Sequence, residues 1–156
     1  MEKKIISKWN EKIKYNDTVY VLGDVFYGNK TAPQAVLEKL VGHKHLIVGN
    51  HDYSILLKNK AALDCFESVS PLLKIDDNDR MVILCHYPII TWDKKHYGSY
   101  HVYGHVHSHV NSDTIYMLKQ ERAYNCGCMI NNYEPCTLEE LSDNKRLFIE
   151  KNHIQL

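Results

Sequence analysis

The chain has 156 residues, with 19 Lys and Arg balanced by 19 Asp and Glu, so its formal net charge is zero when histidine is neutral. This length predicts one domain over residues 1–156, and the balanced charge argues against a long nucleic acid as partner. The charged N-terminus lacks the apolar segment of a signal peptide, and no apolar run approaches the ~18 residues of a membrane span. We therefore predict a cytoplasmic protein without a membrane partner.

The first half of the chain alternates helical and β-rich patterns. Ile6, Trp9 and Ile13 recur at helical spacing and predict an amphipathic helix over residues 2–14. The patterns that follow are a strand in TVYVLGD, a helix that begins near Pro33, a strand in HLIVGNHD and a short helix in SILLKNKAAL. This alternation is typical of an α/β domain.

The β-rich patterns lie closer together in the second half. MVILCHYP, which Pro88 stops, and SYHVYGHVH predict two further strands, and TIYMLKQERAYNCG indicates strand pairing. Thr137 and Glu140 form a capping-box pattern in TLEEL and predict the start of a short helix. The sequence as a whole predicts a layered α/β domain with a mixed sheet.

Polar residues follow the predicted strands in GD, GNHD, CHYP and GHVH. Because ligands of open α/β sheets bind beyond the carboxyl ends of strands, we expect these residues to meet at one edge. The candidates are Asp24, Asn50, His51, His86, His105 and His107.

The chemistry of these side chains favours a metal site. Imidazoles with oxygen donors, and without thiolates, suit Mn²⁺, Fe²⁺ or Zn²⁺. Asp24 could bridge two ions, and His105 and His107 would point the same way in an extended chain, so that each could reach a different ion. Two such ions activate a water molecule and hold a phosphate oxygen. His51 could then protonate the leaving oxygen, with Asp52 orienting its imidazole.

The remaining histidines and the cysteines have simpler interpretations. We expect His43 and His45 to precede their strand and to be structural, and His101 and His109 to be exposed or structural. Among the five cysteines, Cys85 should pack as a small hydrophobic residue. Two alternatives stay open: a soft-metal site at Cys126 and Cys128 in NCGC, and metal storage by the histidine-rich segment itself.

The segments GDVFYGN, GNHD, CHYP and GHVH resemble the motif series of the calcineurin-like metallophosphoesterases. The closing stretch YNCGCMINNYEPCTLEEL resembles the C-terminal part of a small bacterial and phage-type branch. The resemblance implies a β-sandwich of mixed sheets flanked by helices and a site for two divalent transition metals. It also implies hydrolysis of a phosphodiester or phosphomonoester by a metal-activated hydroxide, on a small-molecule or nucleotide substrate.

The resemblance also assigns roles to residues. Asp24 would be the bridging ligand, and Asn50, His86 and His105 would complete one metal site. His107 would belong to the other site, and His51 would be the catalytic histidine.

One motif of that family has no counterpart in the chain. The family opens with a strand ending in Asp-x-His, and no Asp-x-His precedes GDVFYGN. We therefore expect the first strand to be missing, Met1 to be an internal methionine of a longer protein, and the exposed sheet edge beside TVYVLG to favour a homo-oligomer. The alternative function is a non-catalytic scaffold or protein-interaction module.

Overall fold

The computed structural model describes residues 2–26 and 32–156, so the end of the GDVFYGN motif and Thr31 of the predicted second helix lie outside the described residues. The helices within these ranges are α1 (Glu2–Lys12), α2 (Pro33–Leu37), α3 (Asp52–Ile55), α4 (Lys60–Leu63), α5 (Ser112–Leu118) and α6 (Leu138–Lys151), with a 3-10 helix at Lys95–Tyr97. The strands are β1 (Thr18–Val21), β2 (His43–Ile47), β3 (Ser68–Ser70), β4 (Leu72–Asp77), β5 (Arg80–Cys85), β6 (Tyr100–Tyr103) and β7 (Ala123–Asn125).

These strands form two sheets. Sheet I has the order β1-β2-β3, and both of its strand pairs are parallel. Sheet II has the order β4-β5-β6-β7, in which β4 pairs antiparallel with β5 and the other pairs are parallel. The α/β class is confirmed, but the expectation of mixed sheets is correct for sheet II alone.

Alternate side chains along the strands face two different cores. Ile47 of sheet I lies in one buried cluster with Val82, Leu84 and Val102 of sheet II, so the two sheets pack against each other. Residue Leu46, one position away, faces the opposite side, where α1, α2 and α4 cover sheet I. The outer face of sheet II is covered in the same way by α5.

Two predicted helices are confirmed with their stabilising contacts. On α1, Trp9 is 8% exposed and its Nε1–H donates to the Val41 carbonyl oxygen at 2.8 Å. At α6, Thr137 Oγ1 accepts from the Glu140 amide at 3.3 Å, while Glu140 Oε2 accepts from the Thr137 amide at 2.8 Å. The capping box is present, and the helix that it begins has 14 residues rather than the short span expected.

The segment TIYML was wrongly predicted as a strand. It belongs to α5, whose N-cap Asn111 accepts the Thr114 amide at 2.9 Å. The helix is also held by the buried side chains of Met117 and Leu118. Strand pairing starts later, in β7.

The segments around β2 also differ from the sequence prediction. His43 and His45 lie within β2 rather than before it, paired in register with Thr18 and Tyr20. Their predicted structural role is supported, because His43 pairs with Glu67 and His45 Nδ1 lies 2.7 Å from Ser68 Oγ.

SILLKNKAAL does not form one helix. Asn59 interrupts it and caps α4 through its side chain, so that α3 and α4 are separate. Strands β3 and β4 were not predicted at all. Within residues 2–26 and 32–156, no helix has the length and apolar character required to cross a membrane.

Candidate metal centre

The loops that follow β1, β5 and β6 bring Asp24, His86 and His105 together. Each offers a ligand atom, and these atoms all lie within 4.8 Å of one another. Asp24 Oδ2 is 3.2 Å from His86 Nε2. Asn50, which follows β2, adds its Oδ1 at 3.2 Å from His86 Nε2 and 3.1 Å from His105 Nδ1. The structure therefore groups four of the five predicted ligands, two from each sheet.

The tautomer of His86 leaves its Nε2 atom available to bind a cation. His86 is 2% exposed, and its Nδ1–H donates to the Leu22 carbonyl oxygen at 2.7 Å. The lone pair of Nε2 is then directed at the oxygen atoms of Asp24 and Asn50. Electron-rich atoms at this separation repel unless a proton or a cation lies between them. A backbone carbonyl that fixes the outer nitrogen is also the usual support of a metal-binding histidine.

Asp52 holds the two loops of sheet I in place. It is 1% exposed, and its Oδ2 accepts from the amides of Asp24 at 2.9 Å and Gly49 at 2.8 Å. Its Oδ1 accepts from the Val25 amide at 3.3 Å. The carboxylate thus joins the loop after β1 to the loop after β2, a role that the sequence did not reveal. The predicted orientation of the His51 imidazole by Asp52 stays a prediction.

Two glycines permit the close approach of these loops. A Cβ on Gly49 would lie 2.4 Å from Asp24 Oδ1, and a Cβ on Gly23 would lie 2.3 Å from the Gly49 nitrogen. Gly23 also has φ +74°, which side chains rarely adopt. Both glycines directly precede a candidate ligand in LGD and VGN, and this adjacency was the sequence signal that could have identified them.

His51 lies beside the ligand cluster. The backbone N–H of His51 donates to Asp24 Oδ1 at 2.8 Å and so fixes one carboxylate oxygen. His51 is an exposed residue at the start of α3. Asp24 itself has φ 51°, a left-handed conformation that an aspartate tolerates better than most residues.

His105 and His107 do not lie on an extended chain as predicted. Strand β6 ends at Tyr103, and both histidines have positive φ, 64° and 49°. They therefore do not share the face of one strand, and His107 is outside the group formed by Asp24, His86 and His105. His107 instead contacts the His109 ring at 6.4 Å between centroids, and its carbonyl oxygen accepts from Asn125 Nδ2 at 2.9 Å.

The electrostatic environment of His105 favours its neutral form. Burial lowers its pKa below the ordinary value, and the nearby His86 lowers it further, while Asp24 opposes both effects. Smaller lowering effects come from His107 and His51. A neutral imidazole has the free lone pair that a metal ion requires.

The other candidates do not join the site. His101 is fully buried; its Nδ1–H donates to the Ile83 carbonyl oxygen at 2.9 Å and its Nε2 accepts the Ile89 amide at 3.0 Å, so it is structural. All five cysteines are free, and Cys85 is buried as predicted. Burial raises the pKa of the Cys126 thiol to about 12 and also raises that of Cys128, which disfavours the thiolates of a soft-metal site.

Comparisons with known proteins bear on the fold. No family model matches the chain. A curated relative, the uncharacterized protein MJ1445 of Methanocaldococcus jannaschii, is 25% identical over 141 residues, which are 89% of this chain and 72% of the relative. The crystal structure of the protein of unknown function AQ665 from Aquifex aeolicus matches with a TM-score of 0.68 at 23% identity, over 91% of this chain and 83% of that chain. This structural likeness shows that the two chains share a fold.

Proposed function

We propose that the chain is a metal-dependent phosphoesterase of the calcineurin-like metallophosphoesterase type. The observation that carries the proposal is the convergence of Asp24, His86 and His105, with Asn50 in contact with both imidazoles. The packing of sheets I and II against each other, with helices outside, supports the corresponding sandwich fold within the α/β class.

The donor set fits Mn²⁺, Fe²⁺ or Zn²⁺. One carboxylate, one amide oxygen and two imidazoles are nitrogen and oxygen ligands of the kind that catalytic transition-metal sites use. Such an ion supplies Lewis acidity towards a phosphoryl oxygen and lowers the pKa of a coordinated water molecule. His107 is the candidate ligand for a second ion, which the resemblance implies.

The protein's own groups have separate tasks in this proposal. The Leu22 carbonyl holds His86 in the tautomer that leaves Nε2 available, and the His51 amide holds Asp24. In this proposal the His51 imidazole donates a proton to the leaving oxygen of the ester, and Asp52 orients the imidazole. The balanced net charge favours a small-molecule or nucleotide phosphate ester, either a diester or a monoester.

A non-catalytic scaffold is the second candidate. The observation that favours it is the position of His107 outside the ligand group, because a two-ion mechanism needs donors for both ions. The retained His51 beside Asn50 favours the enzyme.

Elemental analysis after loading with Mn²⁺ tests the ligand assignment. We expect the combined variant His86→Ala, His105→Ala to lose the Mn²⁺ that the wild type binds. The matched control is His96→Ala, because His96 is an exposed histidine on the 3-10 helix. Unchanged Mn²⁺ in the double variant would show that the ligands are elsewhere.

Hydrolysis of a chromogenic phosphate diester by the Mn²⁺-loaded protein separates the two candidate functions. In an active enzyme, His51→Ala should lower kcat by about 10²–10⁴, the contribution of one acid–base group, while bound Mn²⁺ stays at the wild-type level. A folded, metal-loaded protein that hydrolyses neither diesters nor monoesters would favour the scaffold. Equal loss of metal and activity in His51→Ala would contradict the catalytic role of His51.

A further inference from the structure

Tyr87 places an aromatic ring directly beside the proposed metal ligands. It follows His86 at the end of β5, and its ring centroid lies 5.1 Å from that of His86 and 4.8 Å from that of His105. The planes meet at 85° and 62°, which are edge contacts. The ring therefore packs on both imidazoles without stacking flat against either of them.

The same side chain remains open to solvent. Tyr87 is 44% exposed, whereas the adjacent His86 is 2% exposed. An aromatic ring that supported the ligands alone would gain from full burial, since burial of an aromatic side chain stabilises the fold substantially. Tyr87 instead presents aromatic surface at the mouth of the ligand group, where the organic part of a bound phosphate ester would lie.

We infer that Tyr87 contacts the organic group of the substrate and selects nucleoside phosphates over phosphate esters without a base. This inference rests on the proposed phosphoesterase function. A nucleobase is joined to its 5′-phosphate through one sugar ring, so a base in contact with Tyr87 would keep its phosphate near His86 and His105, on which Tyr87 packs. Stacking of a base on an aromatic side chain is favourable and tolerates any base, because every base has an aromatic face. Because the chain has no net positive charge, we expect a free nucleotide rather than a nucleic acid.

The experiment compares two ligands that differ in the base alone, adenosine 5′-monophosphate and ribose 5-phosphate. Their affinities for the Mn²⁺-loaded protein are measured by calorimetry, with inorganic phosphate as the reference ligand. We expect the nucleotide to bind about tenfold more tightly than the sugar phosphate, as one base stack provides. Tyr87→Phe should keep this ratio, and Tyr87→Leu should bring it close to one without changing the affinity for inorganic phosphate.

The control variant is Tyr97→Leu, because Tyr97 is 90% exposed and lies on the 3-10 helix. It should keep the tenfold ratio. Equal affinity of the wild type for the two ligands, or an unchanged ratio in Tyr87→Leu, would overturn the inference and leave the proposed function standing. An equal loss of phosphate affinity in Tyr87→Leu would also overturn it, since Tyr87 would then act on the ligands. If no phosphate ligand binds, the proposed function fails together with the inference.

Discussion

Asp52 shows how one buried side chain can determine the shape of a site that it does not enter. Its carboxylate accepts backbone amides from the loops after β1 and β2, and its replacement by asparagine would turn an NH₂ group towards at least one of those amides. We expect Asp52→Asn to lower the free energy of unfolding by about 2–3 kcal/mol, because hydrogen bonds to a charged group are lost and a buried donor is left unpaired.

Urea denaturation of the metal-free protein measures this change. The matched control is Asp143→Asn on α6, whose exposed carboxylate pairs with Arg146. Its effect should stay within about 0.5 kcal/mol, as is usual for a surface pair. An Asp52→Asn variant as stable as this control would contradict the role of Asp52 in joining the loops.

His101 should make stability depend on pH. Burial lowers its pKa below the ordinary value, although backbone hydrogen bonds to Ile83 and Tyr87 oppose this effect. The Nε2 atom accepts the Ile89 amide, which requires the neutral form. Between the lowered folded pKa and the unfolded value of about 6.5, the unfolded chain binds the proton more readily, so stability falls as pH falls. The contribution of His101 is fully present above about pH 6.5.

Urea midpoints of the metal-free protein between pH 8 and pH 5 test this dependence. The wild type should lose stability on acidification, and His101→Gln should lose less between the same pH values, although it is less stable at pH 8. The exposed His96→Gln should follow the wild type. A His101→Gln curve parallel to that of the wild type would exclude His101 as a source of the acid sensitivity.

At the scale of elements, the loop between β6 and α5 depends on β7. Asn125 at the end of β7 donates from Nδ2 to the His107 carbonyl oxygen at 2.9 Å and accepts the Gly127 amide at Oδ1 at 2.8 Å. Asn125→Ala should release the loop that carries His105 and His107. We expect Mn²⁺ affinity to fall about tenfold, since groups that orient metal ligands contribute to this degree.

Calorimetric titration with Mn²⁺ provides the measurement. Asn144→Ala is the matched control, because Asn144 reaches Asn125 only through Asn131: Asn144 Nδ2 donates to Asn131 Oδ1 at 2.9 Å, and Asn131 Nδ2 donates to the Asn125 carbonyl oxygen at 3.0 Å. It should retain wild-type affinity. Equal weakening by both variants would mean that the loop responds to general stability and that Asn125 has no specific effect on the site.

The elements that the sequence predicted are those with a local signal. Helix α1 has apolar spacing, α6 has a capping box, and polar residues mark the ends of β1, β2, β5 and β6. The convergence of four candidate ligands was predictable because polar residues follow the carboxyl ends of β1, β2, β5 and β6, although these strands belong to two sheets rather than one. Strands β3 and β4 were missed because their residues are partly exposed and only weakly apolar. Helix α5 was missed because its sequence has a β-rich composition, and the helix forms there with Asn111 as its N-cap. The position of His107 depends on the positive φ angles of His105 and His107, which could not be predicted from the presence of a histidine in the sequence.

At the scale of the whole molecule, β1 is an edge strand of sheet I in the part of the chain that the structure describes. In a parallel pair, alternate residues direct their backbone groups away from the partner strand, so Thr18 and Tyr20 offer donors and acceptors at this edge. Exposed edges favour pairing with another chain. We predict a homo-oligomer that forms through β1.

Light scattering after size-exclusion chromatography, over a range of protein concentrations, tests this association. The expected result is a mass above that of one chain that decreases on dilution. Tyr20→Pro removes an edge donor and should shift the protein towards the monomer. A mass of one chain at every concentration would contradict association through β1.

The origin of the four candidate ligands in different sheets has a thermodynamic consequence for metal binding. Asp24 and Asn50 follow strands of sheet I, and His86 and His105 follow strands of sheet II, so a bound cation would join the two halves of the core. An ion that binds the folded chain alone adds its binding free energy to that of unfolding, about 2.7 kcal/mol when free metal is a hundredfold above Kd. Separation of the sheets and release of the cation would then be one event, and we expect the midpoint of thermal unfolding to rise with the logarithm of the free Mn²⁺ concentration.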